Sequence, residues 1–340
     1  MLKLFNKKNK AVLGIDFSSN SIKLLELSKS GIHYKVERYA SRPLPEGAVV
    51  EKNISNVEAV GEEMEKLALL AKSGVSKAAV ALSGSAVITK TIELNAALSD
   101  NEMENQITLE ADQYIPYPLE EVAIDFERRR PSRKNEGMEE VLLAACKKEN
   151  VEHRVDVLAA GGFEAQYVDI EAYAMERAFA LLCEQMGLER GGVVAILDIG
   201  ASVTTIYVLR DGESIYTREQ VFGGARLSQA VQSHYGLSAA EAESAIIRNE
   251  LPKSYQSEVL APFQVELADQ LSRALQFFFS SSQYNDIGLV VLAGGVAATP
   301  GLAAMLTESL AQERWLPTLL RKWRSAARST RRCSRMTPPR

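Results

Sequence analysis

Two stretches half a chain apart share one layout, and this repeat constrains the fold more than any other feature. "GIDFSSNSIKLLEL" (Gly14 to Leu27) lies over "LDIGASVTTIYVLRDG" (Leu197 to Gly212) when Asp16 is set on Asp198, an offset of 182 residues. Each copy runs from an apolar strand to an Asp, then small or polar residues, then a second strand. A tandem duplication of one domain accounts for the match; a chance similarity of two hairpins is the competing explanation.

The residue types suggest a use. A turn of small residues leaves backbone N–H groups free to form a nest for a phosphate oxygen. Ser18, Ser19, Asn20 and Ser21 add hydroxyl or amide donors in the first turn, and Gly200, Ala201, Ser202, Thr204 and Thr205 line the second. Lys23, on the strand leaving the first turn, joins the candidates. Asp16 and Asp198 would repel a phosphate directly but can hold Mg²⁺, often through water, that the phosphates also ligate. Otherwise each Asp caps its own turn. A third element, "LAGGVAATPGL", places Gly294, Gly295 and Val296 between a buried strand and a helix, where glycines permit close approach of a flat ligand. Gly223 and Gly224 form a further Gly-Gly turn. Neither a dinucleotide fingerprint after the strand nor a P-loop is present.

Around these motifs the chain reads as alternating strands and helices. Residues 56–73 have helical spacing with an acidic first half and a basic end, and "KAAVALSG" is a short buried strand. Residues 85–163 read as a β-α-β-β-α module, with "SDNE" at 99–102 as a capping box and a helix stopped by Pro116 and Pro118. After Gly191 the pattern restarts. Residues 257–284 read as one long amphipathic helix, and Thr299 as the N-cap of a helix with Pro300 at its first position. The expected domains are 1–84 with 164–190, an inserted module at 85–163, a second domain at 191–313 and a basic atypical tail at 314–340.

Composition narrows the class. The chain has 340 residues, enough for two cores, with 46% hydrophobic and 24% charged residues, as in soluble globular proteins. No apolar run approaches the ~18 residues of a membrane span, and "MLKLFNKKNK" lacks the apolar core of a signal peptide; it reads as a frayed end or a short amphipathic anchor. Cys146, Cys183 and Cys333 lie far apart, which suits a reducing compartment. His33, His153 and His234 are isolated and read as structural or exposed. Nine of the 39 basic residues fall after Glu313 with no acidic one, leaving 30 basic against 44 acidic in the first 313. The tail reads as a disordered end rather than a nucleic-acid binder.

The order of phosphate turn, inserted module, second phosphate turn and Gly-Gly turn resembles the actin/Hsp70/sugar-kinase ATPase superfamily. More narrowly, "LEADQYIPYPLEEVAIDFE", "VLLAACKKENVEHRV", "VDIEAYAMERA", "VFGGARLSQAV" and "LQFFFSSSQYNDIGLVVLAGGVAATPGL" make the chain similar to the type IV pilus assembly PilM family, relatives of the cell-division protein FtsA. The resemblance spans about residues 10–310. It implies an α/β, actin-like fold of two duplicated RNase H-like domains, with mixed sheets flanked by helices, plus an inserted α+β subdomain. It implies ATP and Mg²⁺ binding in the cleft between the halves, and docking of the N-terminal cytoplasmic segment of PilN on the first domain and its module. It further implies a role in pilus biogenesis and twitching motility, a cytoplasmic place peripheral to the inner membrane, other inner-membrane pilus proteins or motor machinery as partners, and self-association. Nucleic acid is not an expected partner.

Three positions depart from the family pattern. Ser18 stands where a glycine is usual. Ile246 and Ile247 occupy the region of a nucleotide-facing lysine, with Arg248 the nearest cation. The basic end replaces the usual last strand and helix, so the second domain is expected to lack its final elements. The leading expectation is an ATP-binding adaptor. An ATPase or small-molecule kinase of the same fold is the alternative, for which turnover well below ~1 s⁻¹ would count against catalysis. A polymerising filament is the third reading.

Overall fold

The computed structural model describes residues 11–31, 33–186, 191–311 and 320–322. The chain divides into two compact units, one of Met1–Phe17, Ile22–Leu27 and Ala40–Glu171, the other of Ser18–Ser21, Ser28–Tyr39 and Ala172–Arg340.

The first sheet begins with β1 (Leu13–Phe17), β2 (Ser21–Ser30) and β3 (His33–Pro43). A small ladder, β4 (Val49–Val50) and β5 (Asn53–Ile54), leads to α1 (Val57–Ala71), whose N-terminus is capped by the Asn56 side chain accepting from the Ala59 N–H. Next is β6 (Lys77–Leu82). An excursion of β7 (Val87–Asn95), α2 (Asp100–Glu110), β8 (Val122–Pro131) and β9 (Met138–Lys147) precedes α3 (Lys148–Ala160) and β10 (Glu164–Ile170). The strand order is β10-β6-β1-β2-β3, with β1 antiparallel to β2 and parallel to β6.

The excursion has its own antiparallel sheet, β7-β9-β8, and its own core of Ile92, Leu94, Met103, Ile107, Val141 and Leu143. Helix α2 starts on the expected capping box: the Ser99 side chain accepts from the Glu102 N–H while the Glu102 carboxylate accepts from the Ser99 N–H. Helix α3, assigned by sequence to the inserted module, packs elsewhere. Its Val157 and Leu158 join Leu13, Ile15, Val60 and Met64 in the core of the first sheet. Arg154 of α3 is 1% exposed and donates to the carbonyls of Ala81, Asn150 and Lys52, which fixes α3 to the end of β6 and to the β4–β5 turn.

Helix α4 (Glu171–Met186) leads to the second sheet. Its strands are β11 (Val193–Ile199), β12 (Thr204–Arg210) and β13 (Glu213–Gln220). Asp211 and Gly212 both take positive φ (53° and 88°) between β12 and β13, the backbone a two-residue hairpin requires. Helices α5 (Gly224–Tyr235), α6 (Ala239–Arg248) and α7 (Ala261–Ser281) follow, then β14 (Leu289–Ala293), α8 (Leu302–Ala311) and β15 (Leu320–Lys322). The order β13-β12-β11-β14-β15 reproduces the first sheet: two antiparallel neighbours on one side of the central strand, parallel strands on the other. The core lies between one face of β11–β12 and the helices: Leu197, Ile199, Ile206 and Val208 against Leu227, Val231, Phe263, Leu267, Leu271 and Leu306.

The long helix read at 257–284 is present as one helical run from Gln256 to Ser281, in which the five residues Gln256–Leu260 ahead of Pro262 are π-helical. Two sequence expectations are corrected. Helix α8 begins at Leu302, not at Pro300, since Gly301 has φ +78°. The second sheet does not lack its last strand, because β15 pairs in parallel with β14. The remainder of the basic tail and the N-terminal "MLKLFNKK" fall outside the described residues.

Candidate functional site

The two repeated hairpins have the same construction. β1 and β2 meet at the pair Phe17–Ile22, and β11 and β12 at Ile199–Thr204, so four residues form each tip. The Ser18 N–H donates to the Ser21 carbonyl at 2.9 Å, and the Gly200 N–H to the Val203 carbonyl at 3.1 Å. Closing each turn uses one of the N–H groups expected to face a phosphate. The N–H groups of Ser19, Asn20, Ala201 and Ser202 donate to no carbonyl among the described residues.

The strands next to each tip differ. Asp16 lies opposite Lys23, and the two form an ion pair at 2.7 Å with both side chains substantially exposed. Asp198 lies opposite Thr205, which is fully buried.

The second hairpin is built into a close contact of three turns. The Gly224 N–H donates to the Gly200 carbonyl (3.0 Å) and the Ala225 N–H to the Ala201 carbonyl (2.8 Å). The hairpin therefore caps the start of α5, where orphan N–H groups need acceptors. Gly223 explains itself here. Its φ of −175° is ordinary extended backbone, but a Cβ on it would lie 2.5 Å from both the Gly200 and Ala201 oxygens. Gly223 and Gly224 thus act as close-packing positions, and the Gly224 N–H is committed to the hairpin. A Cβ on Gly224 would meet Val296 at 2.7 Å. Gly294 has φ +83°, and a Cβ there would sit 2.3 Å from the Ile199 oxygen and 2.7 Å from Asp198 Oδ1. Gly295 meets nothing within 4 Å. Asp198, Gly200, Ala201, Gly223, Gly224, Gly294 and Val296 are thereby brought together, with Ser202 at the tip and Gly295 open beside them. Asp16, Ser18, Ser19, Asn20, Ser21 and Lys23 form the first hairpin's group.

These groups suit a phosphorylated ligand with a hydrated cation. The N–H groups of Ser19, Asn20, Ala201 and Ser202 have no carbonyl partner among the described residues, Gly295 is open, and no cluster of three His, Cys, Asp or Glu able to hold an ion directly exists among those residues. A Mg²⁺ would be held mostly by water and phosphate oxygens, as that ion prefers. Helix α6 presents Ile247 and Arg248 to solvent, while Ile246 packs against the core. Glu219, on β13 beside Thr205, was not singled out by sequence; its register is visible only in the folded sheet. Ser238–Glu241, a second capping box, repeats the Ser99–Glu102 pattern and was also missed. Among the described residues no helix is long and apolar enough to cross a membrane.

Two sheets of one topology, each opening on the same acidic hairpin, define an actin-like protein. A family profile described as "Type IV pilus assembly protein PilM" matches residues 14–333. The chain belongs to that family. A solved PilM-PilN type IV pilus biogenesis complex contains a similar chain, 28% identical, with a TM-score of 0.72 over 91% of this chain and 87% of that one. The ethanolamine utilization protein EutJ from Carboxydothermus hydrogenoformans shares the fold at 17% identity and a TM-score of 0.54, covering 91% of this chain and 85% of its own.

Proposed function

We propose that this PilM-family protein is a cytoplasmic, ATP-binding adaptor of the type IV pilus inner-membrane assembly complex, and that it docks the N-terminal cytoplasmic segment of PilN. The observation that carries the docking reading is its likeness, along nearly the whole chain, to a relative solved in complex with PilN. The nucleotide reading rests on the matched hairpins. Asp16, Ser18, Ser19, Asn20, Ser21 and Lys23 would serve the phosphates from one hairpin. Asp198, Gly200, Ala201 and Ser202 would serve them from the other, with Gly223 and Gly224 keeping that turn in place. Gly294, Gly295 and Val296 would border the nucleoside. Mg²⁺ would be shared through water by Asp16 and Asp198.

Titration of a synthetic PilN N-terminal peptide into the purified protein tests the adaptor reading. Binding with a Kd below about 50 µM, close to −6 kcal/mol, is expected. No heat or retention at that concentration would contradict it.

A further inference from the structure

One face of the first sheet is uncovered at its centre. β1 is the middle strand of five, yet its burial alternates: Leu13, Ile15 and Phe17 are buried, Gly14 and Asp16 exposed. Leu13 and Ile15 pack with Val60 and Met64 of α1 and Val157 of α3. The opposite face carries a row in register across four strands: Tyr167 on β10, Ala79 on β6, Gly14 on β1 and Leu25 on β2. Tyr167 is 59% exposed, and Ala79 and Leu25 are half-buried. A Cβ on Gly14 would meet only the Leu25 oxygen, at 3.9 Å. Parallel strands such as β10, β6 and β1 are ordinarily covered on both faces. The repeat makes the gap specific. Its 182-residue offset carries Gly14 onto Ile196 and Leu25 onto Tyr207, which are paired in the second sheet as Gly14 and Leu25 are in the first. Val291 stands beside Ile196 as Ala79 stands beside Gly14. Ile196, Tyr207 and Val291 are 0%, 1% and 6% exposed. The same row is therefore large and covered in one half, small and uncovered in the other. A trough of Gly14 and Ala79 between Tyr167 and Leu25 takes a cover that brings its own bulky side chains.

We propose that the segment Met1–Phe5 of this chain lies across that row, with Leu2, Leu4 and Phe5 filling the trough. Four of its five residues are large and apolar, which is what the row lacks. Its reach fits: five extended residues span about 17 Å, and three strand spacings from Tyr167 to Leu25 about 14 Å. The polar stretch Asn6–Lys10 joins the segment to Ala11, two residues before β1, and supplies the length to double back. So short a tether makes the contact intramolecular. Charge agrees as well: Lys7, Lys8 and Lys10 flank the segment, and Asp16 and Asp169 follow Gly14 and Tyr167 two residues on, on the same face. The basic end of the chain fits less well, because after Lys322 its large apolar side chains are only Trp323 and Met336, 13 residues apart. A second copy fits less well too, since a patch about 14 Å by 17 Å offers a few hundred Å², against the ~800 Å² per partner of a stable interface.

The test is disulfide trapping in the full chain carrying Cys333→Ser, which leaves only the buried Cys146 and Cys183. Leu2→Cys, Leu4→Cys and Phe5→Cys are each combined with Ala79→Cys and oxidised, and linked peptides are read by mass spectrometry. Trp323→Cys with Ala79→Cys is the comparison. Expected is a link from at least one N-terminal position in more than about half of the protein, and from position 323 in less than about a tenth. Leu4→Asp combined with Phe5→Asp should lower the melting temperature by about 2–5 °C. No link from any of the three N-terminal positions would overturn the proposal. A dominant link from position 323 would overturn it in favour of the basic end. Wild type that sediments with phosphatidylglycerol vesicles, while the Leu4→Asp, Phe5→Asp variant does not and melts at the same temperature, would overturn it in favour of a membrane anchor.

Discussion

The two hairpins share a backbone plan and differ in everything that surrounds it. At the first, Asp16 meets an exposed lysine across the strands, and serine tolerates the position that Gly200 holds in the second. At the second, Asp198 meets a buried threonine, and two other chain segments crowd the turn closely enough that Gly223 and Gly294 admit no Cβ. A duplicated element thus persists as two devices. One is an exposed electrostatic turn that accepts substitution; the other is a packed junction whose shape depends on glycine.

The largest expected effect falls on that junction. Gly294→Ala forces a Cβ against the Ile199 carbonyl at a left-handed φ. A loss of about 2–4 kcal/mol in chemical denaturation is expected. The neighbouring Gly295→Ala, with open space and helical φ, should stay within about 0.5 kcal/mol. Equal losses at both positions would mean that crowding does not distinguish this turn.

A smaller effect belongs to the first hairpin. Lys23→Ala removes the Lys23–Asp16 ion pair, and an exposed pair of this kind contributes about 0–1 kcal/mol, less as salt rises. Denaturation at low and high salt should show a deficit that shrinks with salt. A deficit of several kcal/mol would place this hairpin with the packed one.

The smallest effect separates two helices rather than two turns. Glu102 and Glu241 are held below their ordinary carboxylate value, first by the side chains of Ser99 and Ser238, then by the backbone N–H groups of the same serines. Their contribution is present above the ordinary glutamate range and is lost as pH falls through the lowered folded value. Glu102→Gln and Glu241→Gln should therefore match wild type more closely in acid than at pH 7 in thermal melts. A variant whose deficit is the same at both pH values would remove the titration from the account of the caps.

Much of this was legible in the residues. Strand pairs around an Asp and a small-residue turn announce themselves by apolar runs and turn chemistry, and "SDNE" announces its helix. Less legible was whatever depends on partners distant in sequence. Gly223 reads as a turn glycine facing a nucleotide until the hairpin carbonyls come within 2.5 Å of the place of its missing side chain. Helix α3 reads as part of the insertion because it follows β9 in the chain, while its apolar side chains seek Met64 and Val60.

Calorimetric titration of ATP with Mg²⁺ into wild type, Asp16→Ala and Asp198→Ala tests most directly the proposed binding of a magnesium nucleotide by the acidic hairpins. One saturable site is predicted in wild type, weakened at least about tenfold by Asp198→Ala and less by Asp16→Ala, whose carboxylate Lys23 already neutralises. Absence of binding in wild type, or binding untouched by both substitutions, would contradict it.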